Sequence, residues 1–275
     1  MTRELSGYAV FDLDGTLADS LRDIARSLGQ VLRNHGRRIV STEETRELIG
    51  KGPRTLMERA WMRTGRPADL NEARRLAKEY LEEYQKNPPG GTRAFPGVAE
   101  GLRRLKLQGW QLALCTNKDG RAARALVQEL GWGTWIHVVI SGEEGFRKPD
   151  PRALQLALQG IRAPRGRHLF IGDSEVDLQT AKNAGVEGVF LGHGYGEFGR
   201  RGIGGNHFFR EAVSLFSWMA RSGPGARISA RDGHLPAGRF PGPQEPRRIS
   251  WVPEGGSRWA ERGRAPSRAR RHPWF

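Results

Sequence analysis

Two carboxylates near the start of the chain are the first residues whose types and spacing could do chemistry. Asp12 and Asp14 lie two positions apart, so in an extended chain both side chains point to the same side. Such a pair repels unless a shared proton or a cation relieves the repulsion, and Mg²⁺ suits oxygen ligands with a substrate phosphate completing its shell. We therefore predict that this pair belongs to a site for Mg²⁺ and a phosphate group.

The ordinary alternatives for an Asp-X-Asp-Gly run are a plain turn, since both residue types are common in turns, and a calcium-binding loop. The calcium loop is excluded, because Thr16 and Ala18 supply no acidic ligand and the twelfth position carries no glutamate. A third carboxylate is available at Asp173, which lies between Gly172 and Ser174. The metal prediction therefore depends on a fold that brings Asp173 to the first pair, and a plain turn remains the alternative.

Two later segments offer hydrogen-bond donors and positive charge for a phosphate. Thr116 and Asn117 stand between a predicted strand and a predicted helix, where a hydroxyl and backbone N–H groups can bind an anion; an N-cap is the ordinary alternative. Lys148 precedes Pro149, whose ring restricts the backbone, and could neutralise charge between a carboxylate and a phosphoryl group. Its alternative is a solvated loop position, which is usual for a lysine.

An alternation of helices and strands has to position these residues. The sequence predicts strands at 8–12, 110–115, 135–140, 168–171 and 186–191, and helices at 98–107, 122–130, 153–161, 177–184 and 208–219. Alternation of this kind is typical of βαβ units with a parallel sheet. The candidate residues then stand at the carboxyl ends of strands, which is the edge where open parallel sheets bind ligands.

A helical block interrupts this pattern. Residues 18–87 contain no convincing strand, and apolar spacing predicts helices around 21–31, 55–62 and 69–84. We therefore predict an α/β fold with a Rossmann-like, three-layer core formed by residues 1–17 and 88–221. An all-helical cap domain at 18–87 is inserted into it. A disordered, basic C-terminal tail is predicted at 222–275, where Arg, Gly and Pro dominate.

The charge of the chain is uneven. The net charge is +15, which invites a nucleic-acid interpretation, but residues 222–275 hold 11 Arg against 4 acidic residues and so carry +7 of it. The same 54 residues contain 8 Gly and 8 Pro, a composition near the one at which chains stop packing a core. A nucleic-acid-binding protein that uses this tail is the alternative from another class, and a solvated tail is the prediction that we favour.

Membrane insertion and secretion are not expected. No apolar run approaches the roughly 20 residues of a membrane span, and the segment before Tyr8 is short and polar for a secretory signal. Cys115 is the single cysteine, which excludes an internal disulfide and fits a reducing compartment. We predict a cytoplasmic protein whose partner is a small phosphorylated metabolite.

The candidate residues form four motifs that resemble those of the haloacid dehalogenase superfamily, in that superfamily's order and each after a predicted strand. The resemblance runs from about Tyr8 to Gly196, and it implies the Rossmann-like fold of that superfamily with a type-1 cap in the helical insert. The motifs are Phe11-Asp12-Leu13-Asp14-Gly15-Thr16-Leu17, Thr116-Asn117, Lys148-Pro149 and Gly172-Asp173-Ser174-Glu175-Val176-Asp177.

Within that superfamily, several segments of this sequence are similar to those of the phosphoglycolate phosphatase family. One stretch departs, since that family commonly has Gly-Gly-Asp before the lysine of the third motif, whereas this chain has Ser141-Gly142-Glu143-Glu144. A broad-specificity phosphatase for sugar phosphates, nucleotides or pyrophosphate is therefore the alternative. The similar segments are Asp14-Gly15-Thr16-Leu17-Ala18-Asp19-Ser20, Ile49-Gly50-Lys51-Gly52, Phe95-Pro96-Gly97-Val98, Thr116-Asn117-Lys118 and Gly194-Tyr195-Gly196.

The resemblance implies a role for each catalytic and metal residue. Asp12 would be the nucleophile that forms an aspartyl-phosphate, and Asp14 the general acid and base. Mg²⁺ would be held by Asp12, Asp173 and the backbone carbonyl of Asp14, with Asp177 acting through a water molecule. Lys148 would contribute positive charge next to the phosphoryl group.

The remaining candidates bind the substrate. Thr116 and the backbone N–H of Asn117 would contact the phosphoryl group, and Thr16 would help to orient Asp14. Lys51, between two glycines of the cap, is the candidate for binding the substrate's own anionic group. The same idea extends less strongly to Lys118 and Arg54.

Overall fold

The computed structural model describes residues 7–86, 90–142, 145–163, 168–196 and 207–222. The tail predicted at 222–275 lies outside these residues except for its first position, and so do the two prolines of the predicted break at 88–91. None of the described helices combines the length and the apolar character that a membrane span requires.

The core is built around a six-stranded, fully parallel sheet. Its strands follow one another in the order β5-β4-β1-β6-β7-β8. The bounds are β1 (Gly7–Phe11), β4 (Trp110–Cys115), β5 (Ile136–Ile140), β6 (Leu169–Gly172), β7 (Glu187–Leu191) and β8 (His207–Phe209), with two further strands, β2 (Ala18–Asp19) and β3 (Arg93–Ala94), pairing apart from this sheet.

Helices cover both faces of the sheet, which makes three layers. On β1, Ala9 and Phe11 belong to one hydrophobic cluster and Val10 to another, as the two-residue period of a strand requires. The first cluster contains α5 (Val98–Leu107), α6 (Gly120–Glu129) and α9 (Ala212–Ser222), and the second contains α7 (Pro151–Gly160) and α8 (Glu175–Ala184). The predicted three-layer α/β fold is therefore confirmed.

Four helices between β2 and β3 form the cap, and their apolar faces build a hydrophobic cluster to which the core adds Ala122. On α1, Ile24, Leu28 and Val31 recur at the spacing of one helix face and are all buried. This separate cluster supports the proposed cap domain at 18–87. The helices are α1 (Leu21–Asn34), α2 (Thr42–Leu48), α3 (Gly52–Arg63) and α4 (Leu70–Lys86).

Strand β2 contradicts the prediction that residues 18–87 contain no strand. It pairs antiparallel with β3, Ala18 opposite Ala94 and Asp19 opposite Arg93. Two residues are too few to show a strand period in sequence, so the pattern could not reveal it. The helix predicted at 208–219 needs a similar correction, because His207–Phe209 form the edge strand β8 and the helix begins only at Ala212.

The order of the strands explains why the candidate residues meet. Strand β1 lies between β4 and β6: the chain runs from β1 to β4 and β5 on one side, and then crosses back to β6, β7 and β8 on the other. A crevice forms at the carboxyl ends of the strands wherever the order reverses in this way. Residues that directly follow β1, β4 and β6 therefore face one another across a short distance.

The core packing yields a test with a matched control in a single helix. Leu105 of α5 is 0% exposed, whereas Leu107 of the same helix is 56% exposed. We expect Leu105→Ala to lower the free energy of unfolding by about 2–5 kcal/mol, because it removes buried methyl groups and leaves a cavity. Leu107→Ala should change it by less than about 0.5 kcal/mol. Urea unfolding followed by circular dichroism measures both, and similar losses would contradict the packing described above.

Candidate active site

The predicted residues come together at the carboxyl edge of the sheet. Asp12 directly follows β1, Thr116 follows β4, and Asp173 follows β6, while Lys148 comes from the loop between β5 and α7. The Nζ atom of Lys148 lies 2.8 Å from Oδ1 of Asp12 and 2.6 Å from Oδ1 of Asp177. All five side chains are buried, so the solvated position that was the alternative for Lys148 does not occur.

Three carboxylates form a cluster around this lysine. Asp12, Asp173 and Asp177 each place one oxygen within 4.8 Å of the others. Burial raises the pKa of Asp12 to about 7; Lys148 opposes this shift, and the charges of Asp177 and Asp173 add to it. The pKa of Asp173 rises to about 6 through burial and the charge of Asp177. The protein therefore holds more negative charge here than Lys148 can balance.

The cluster fits a divalent metal ion. Its donors are all carboxylate oxygens, they are buried, and they carry an excess of negative charge, which is the chemistry that hard divalent cations prefer. Asp177 lies in the cluster itself, whereas the resemblance assigned it a place behind a water molecule. For Asp14 the predicted metal ligand is the backbone carbonyl, and the carboxylate of Asp14 is not part of this group in the described residues.

Each of the two later carboxylates is held by fixed donors. Asp173 accepts hydrogen bonds from the hydroxyl of Thr16 at 2.8 Å and from the N–H of Tyr195 at 2.7 Å. Asp177 accepts from the hydroxyl of Ser174 at 2.5 Å, within the capping box that begins α8. The hydroxyl of Thr16, which was predicted to help orient Asp14, is buried and donates to Asp173 instead.

A glycine lets the first loop approach Asp173. Gly15 has a φ of +84°, and a Cβ atom there would overlap the carboxylate of Asp173. Any other residue would push the loop that carries Asp12 and Asp14 away from β6. The Asp-Gly pair in the first motif is thus required by the carboxylate cluster as well as by the turn.

Asp14 has partners of its own. It accepts hydrogen bonds from the hydroxyl of Ser20 at 2.5 Å and from Nζ of Lys118 at 3.1 Å. The ammonium of Lys118 also lies 4.4 Å from the centre of the Tyr84 ring, within the range of a cation–π contact. Burial disfavours the charge of Lys118, but Asp14, Tyr84 and Tyr80 hold its pKa well above the ordinary value.

Asn117 connects the cap to Lys148. Its side-chain amide accepts from the N–H of Lys148 at 2.9 Å, and donates to the carbonyls of Lys148 at 3.1 Å and of Gly50 at 3.0 Å. The N-cap of α6 is Asp119, so neither Thr116 nor Asn117 caps that helix. The amide of Asn117 thus fixes the backbone of the buried lysine, a role that its polarity alone did not reveal.

A cavity of about 60 Å³ opens between this edge and the cap. Lys51 is exposed and does not line it, and Arg54 is exposed and paired with Glu58. Lys118, the weaker candidate from the sequence, does line it. The core contributes Asp12, Asp14, Thr116, Asn117, Lys118, Asp119 and Ala122, and the cap Ile24, Ile49, Gly50, Gly52, Pro53, Leu56, Tyr80, Leu81 and Tyr84.

Comparison with known proteins assigns the class. The family model for haloacid dehalogenase-like hydrolases matches residues 9–191, which is well over half of the chain. The chain therefore belongs to the haloacid dehalogenase-like hydrolases, and the predicted family is confirmed.

Two related proteins indicate which enzymes within this class the chain resembles. The phosphoglycolate phosphatase of Mesorhizobium japonicum is 39% identical over 188 residues, which cover 68% of this chain and 82% of that protein. The phosphoglycolate phosphatase of Caulobacter vibrioides is 33% identical over 196 residues, covering 70% and 83%. The predicted enzyme class, a phosphoric monoester hydrolase similar to phosphoglycolate phosphatases, is confirmed.

Solved structures share the fold. A predicted phosphoglycolate phosphatase from Haemophilus somnus 129pt superposes with a TM-score of 0.70 at 25% identity, covering 79% of this chain and 99% of that one. CbbY from Rhodobacter sphaeroides, in complex with phosphate, gives a TM-score of 0.65 at 23% identity, covering 77% and 96%. Both span the core and the cap together.

The ion pairs of Lys148 predict a large effect on stability. Replacing Lys148 with Met leaves three buried carboxylates without their counter-charge, so we expect the free energy of unfolding in chelator to fall by about 3–5 kcal/mol. Lys78→Met, at a position whose side chain is 79% exposed, should stay within about 0.5 kcal/mol of the wild type. Equal unfolding curves for the two variants would show that Lys148 does not balance the cluster.

Proposed function

We propose that this phosphatase requires Mg²⁺ and hydrolyses a small phosphomonoester, 2-phosphoglycolate, through an aspartyl-phosphate on Asp12. The observation that carries the proposal is the placement of Asp12. It is buried at the end of β1, paired with Lys148, and grouped with Asp173 and Asp177 in a cluster that fits a divalent metal. A nucleophile, a counter-charge and a metal site are thus available around one phosphoryl group.

In the first step a carboxylate oxygen of Asp12 attacks phosphorus, and the bond from phosphorus to the leaving oxygen breaks. Lys148 keeps Asp12 in place and offsets the charge of the phosphoryl oxygens. Mg²⁺, when held by Asp12, Asp173 and Asp177, would neutralise further phosphoryl charge. The hydroxyl of Thr116 and the backbone N–H of Asn117 are the proposed additional phosphate contacts.

Asp14 serves the leaving group and then the water. It donates a proton to the departing alkoxide, which leaves as an alcohol, and later takes a proton from the water that attacks the aspartyl-phosphate. Ser20 and Lys118 hold its carboxylate at the edge of the cavity that would contain the leaving group. The cap covers this cavity and limits the access of water.

The cavity supports a short substrate with an acidic group. Its volume of about 60 Å³ has room for a small ester, at roughly 10–15 Å³ for each water-sized group. Among the described residues that line it, Lys118 is the one cation, and an ammonium has three donors to share between Asp14 and a second carboxylate. The relatives named phosphoglycolate phosphatase agree with this substrate.

Several expectations from the sequence stay predictions. Broad specificity for sugar phosphates, nucleotides or pyrophosphate is the alternative, and it is an outcome of the tests below. The cytoplasmic location and the domain boundaries at 17/18, 87/88 and 221/222 also remain predictions. Nucleic-acid binding, the alternative from another class, concerns residues 222–275, which lie outside the described residues except for the first position.

The mechanism predicts that the release of phosphate depends both on Asp12 and on the metal ion. Release of inorganic phosphate from 2-phosphoglycolate should fall by at least about 1,000-fold in Asp12→Asn, because the amide cannot form the covalent intermediate. It should also stop in chelator and return with added Mg²⁺. Asp69→Asn is the matched control, since Asp69 is exposed on the cap and asparagine can still cap α4.

Three outcomes are distinguishable in that assay. Strong preference for 2-phosphoglycolate over a panel of phosphomonoesters supports the full proposal. Equal rates across the panel, with both dependences intact, would support the broad-specificity alternative. Phosphate release that survives Asp12→Asn or chelation would overturn the mechanism.

Substrate selection can be assigned to one of two lysines. We expect Lys118→Met to lower the ratio of kcat/KM for 2-phosphoglycolate to that for ethyl phosphate, which lacks the carboxylate, by about 30-fold, as loss of a buried charge contact predicts. Because Lys118 also touches Asp14, the ratio and not the absolute rate carries the test. Lys51→Met examines the sequence-based alternative, and a larger fall in that variant would transfer the role to Lys51.

A further inference from the structure

The first helix of the cap has an unusual N-terminus. Ser20 is the N-cap of α1, a position where a serine ordinarily accepts a hydrogen bond from its own helix. Here its side chain makes no capping bond and donates to Oδ1 of Asp14 at 2.5 Å instead. Ser41 of α2 shows the ordinary arrangement, with an extended backbone (φ −70°, ψ 170°) and a bond from the N–H of Glu44. Ser20 differs in its backbone too (φ −105°, ψ 3°).

A residue far along the chain supplies a hydrogen-bond acceptor at the start of α1. The phenol oxygen of Tyr195 accepts hydrogen bonds from the N–H groups of Ser20 at 2.6 Å and of Leu21 at 3.0 Å. Its own O–H donates to Oδ1 of Asp19 at 2.8 Å. Burial raises the pKa of this phenol, so the hydroxyl stays neutral and can donate and accept together. The first donors of α1 are therefore satisfied by the core.

Tyr195 is itself fixed to the metal cluster. Its backbone N–H donates to Oδ2 of Asp173 at 2.7 Å, and a Cβ atom on either neighbouring glycine would overlap Asp173. The guanidinium of Arg46, on α2 of the cap, lies 5.8 Å from the centre of the Tyr195 ring. The tyrosine thus joins a proposed metal ligand to the first turn of the cap.

We propose that Tyr195 is a positioning residue for proton transfer by Asp14. By accepting from the N–H groups of Ser20 and Leu21 it fixes the backbone from which the hydroxyl of Ser20 reaches Asp14, and that hydroxyl holds the carboxylate of Asp14 towards the leaving group. Without the phenol oxygen, the buried N–H groups of Ser20 and Leu21 would lose their acceptor. The backbone of Ser20 would then shift, and its hydrogen bond to Asp14 would weaken. The proposal rests on the role of Asp14 given under the proposed function.

Two substrates of nearly equal size distinguish the contribution of proton transfer to kcat/KM from the other contributions to it. Ethyl phosphate has a strongly basic leaving alkoxide that needs a proton, whereas 2,2,2-trifluoroethyl phosphate has a far less basic one. The ratio kcat/KM covers all steps up to loss of the leaving alcohol, so it reports proton donation by Asp14. We expect Tyr195→Phe to lower kcat/KM about tenfold for ethyl phosphate and less than about threefold for the trifluoro analogue.

Ser20→Ala should reproduce this selective loss, because it removes the hydroxyl that donates to Asp14. In the double variant the loss should be no greater than in either single variant, as expected for residues that act through one contact. Tyr8→Phe is the matched control, since Tyr8 lies in β1 against the ring of His168, on the face of the sheet that packs against α7 and α8. It should leave both substrates unaffected.

The outcomes separate the inference from the function on which it rests. Equal losses for both substrates in Tyr195→Phe, or losses that add in the double variant, would overturn the inference and leave a structural role only. If Tyr195→Phe does not fold, as judged by thermal unfolding, the selectivity of Ser20→Ala decides. A wild-type enzyme that releases no phosphate from either ester or from 2-phosphoglycolate would instead refute the proposed function.

Discussion

Three buried carboxylates share one buried ammonium at the edge of the sheet, and much of the architecture follows from this imbalance of charge. Lys148 cannot balance Asp12, Asp173 and Asp177 alone, and a buried charge without compensation is expensive. The fold therefore surrounds Asp173 and Asp177 with fixed donors, from Thr16, Ser174 and the backbone of Tyr195. A divalent cation would remove the remaining imbalance, so metal binding and the stability of this edge are coupled.

The cluster also explains which loops must be close. β1 leads into Asp12, the proposed nucleophile, and lies between β4 and β6, which lead into Thr116 and Asp173, so a small shift of one loop would alter all the distances. Gly15 permits the close approach on one side, and the amide of Asn117 fixes the lysine loop on the other. The same amide reaches Gly50 of the cap. Charge balance in the core is thereby tied to the position of the cap.

The sequence predicts which charged residues meet at the sheet edge, but it does not predict the side-chain contacts that hold them there. Asp12, Asp173 and Lys148 could be found because strand patterns place them at one edge of a sheet. The partner of Thr16, the choice between Lys118 and Lys51, and the link from Tyr195 to Ser20 depend on atomic distances between residues far apart in the chain. No period or motif encodes such distances, and strands as short as β2 and β8 show no period at all.

The short pairing of β2 with β3 has a consequence for how this enzyme could diversify. Both ends of the cap leave the core side by side, as Ala18 stands opposite Ala94. The cap helices are therefore an insertion whose two ends are already close together. Insertions of this kind can be lengthened, shortened or exchanged at little entropic cost to the rest of the chain. New specificities can therefore arise in the insert while the residues that break the phosphate ester stay as they are.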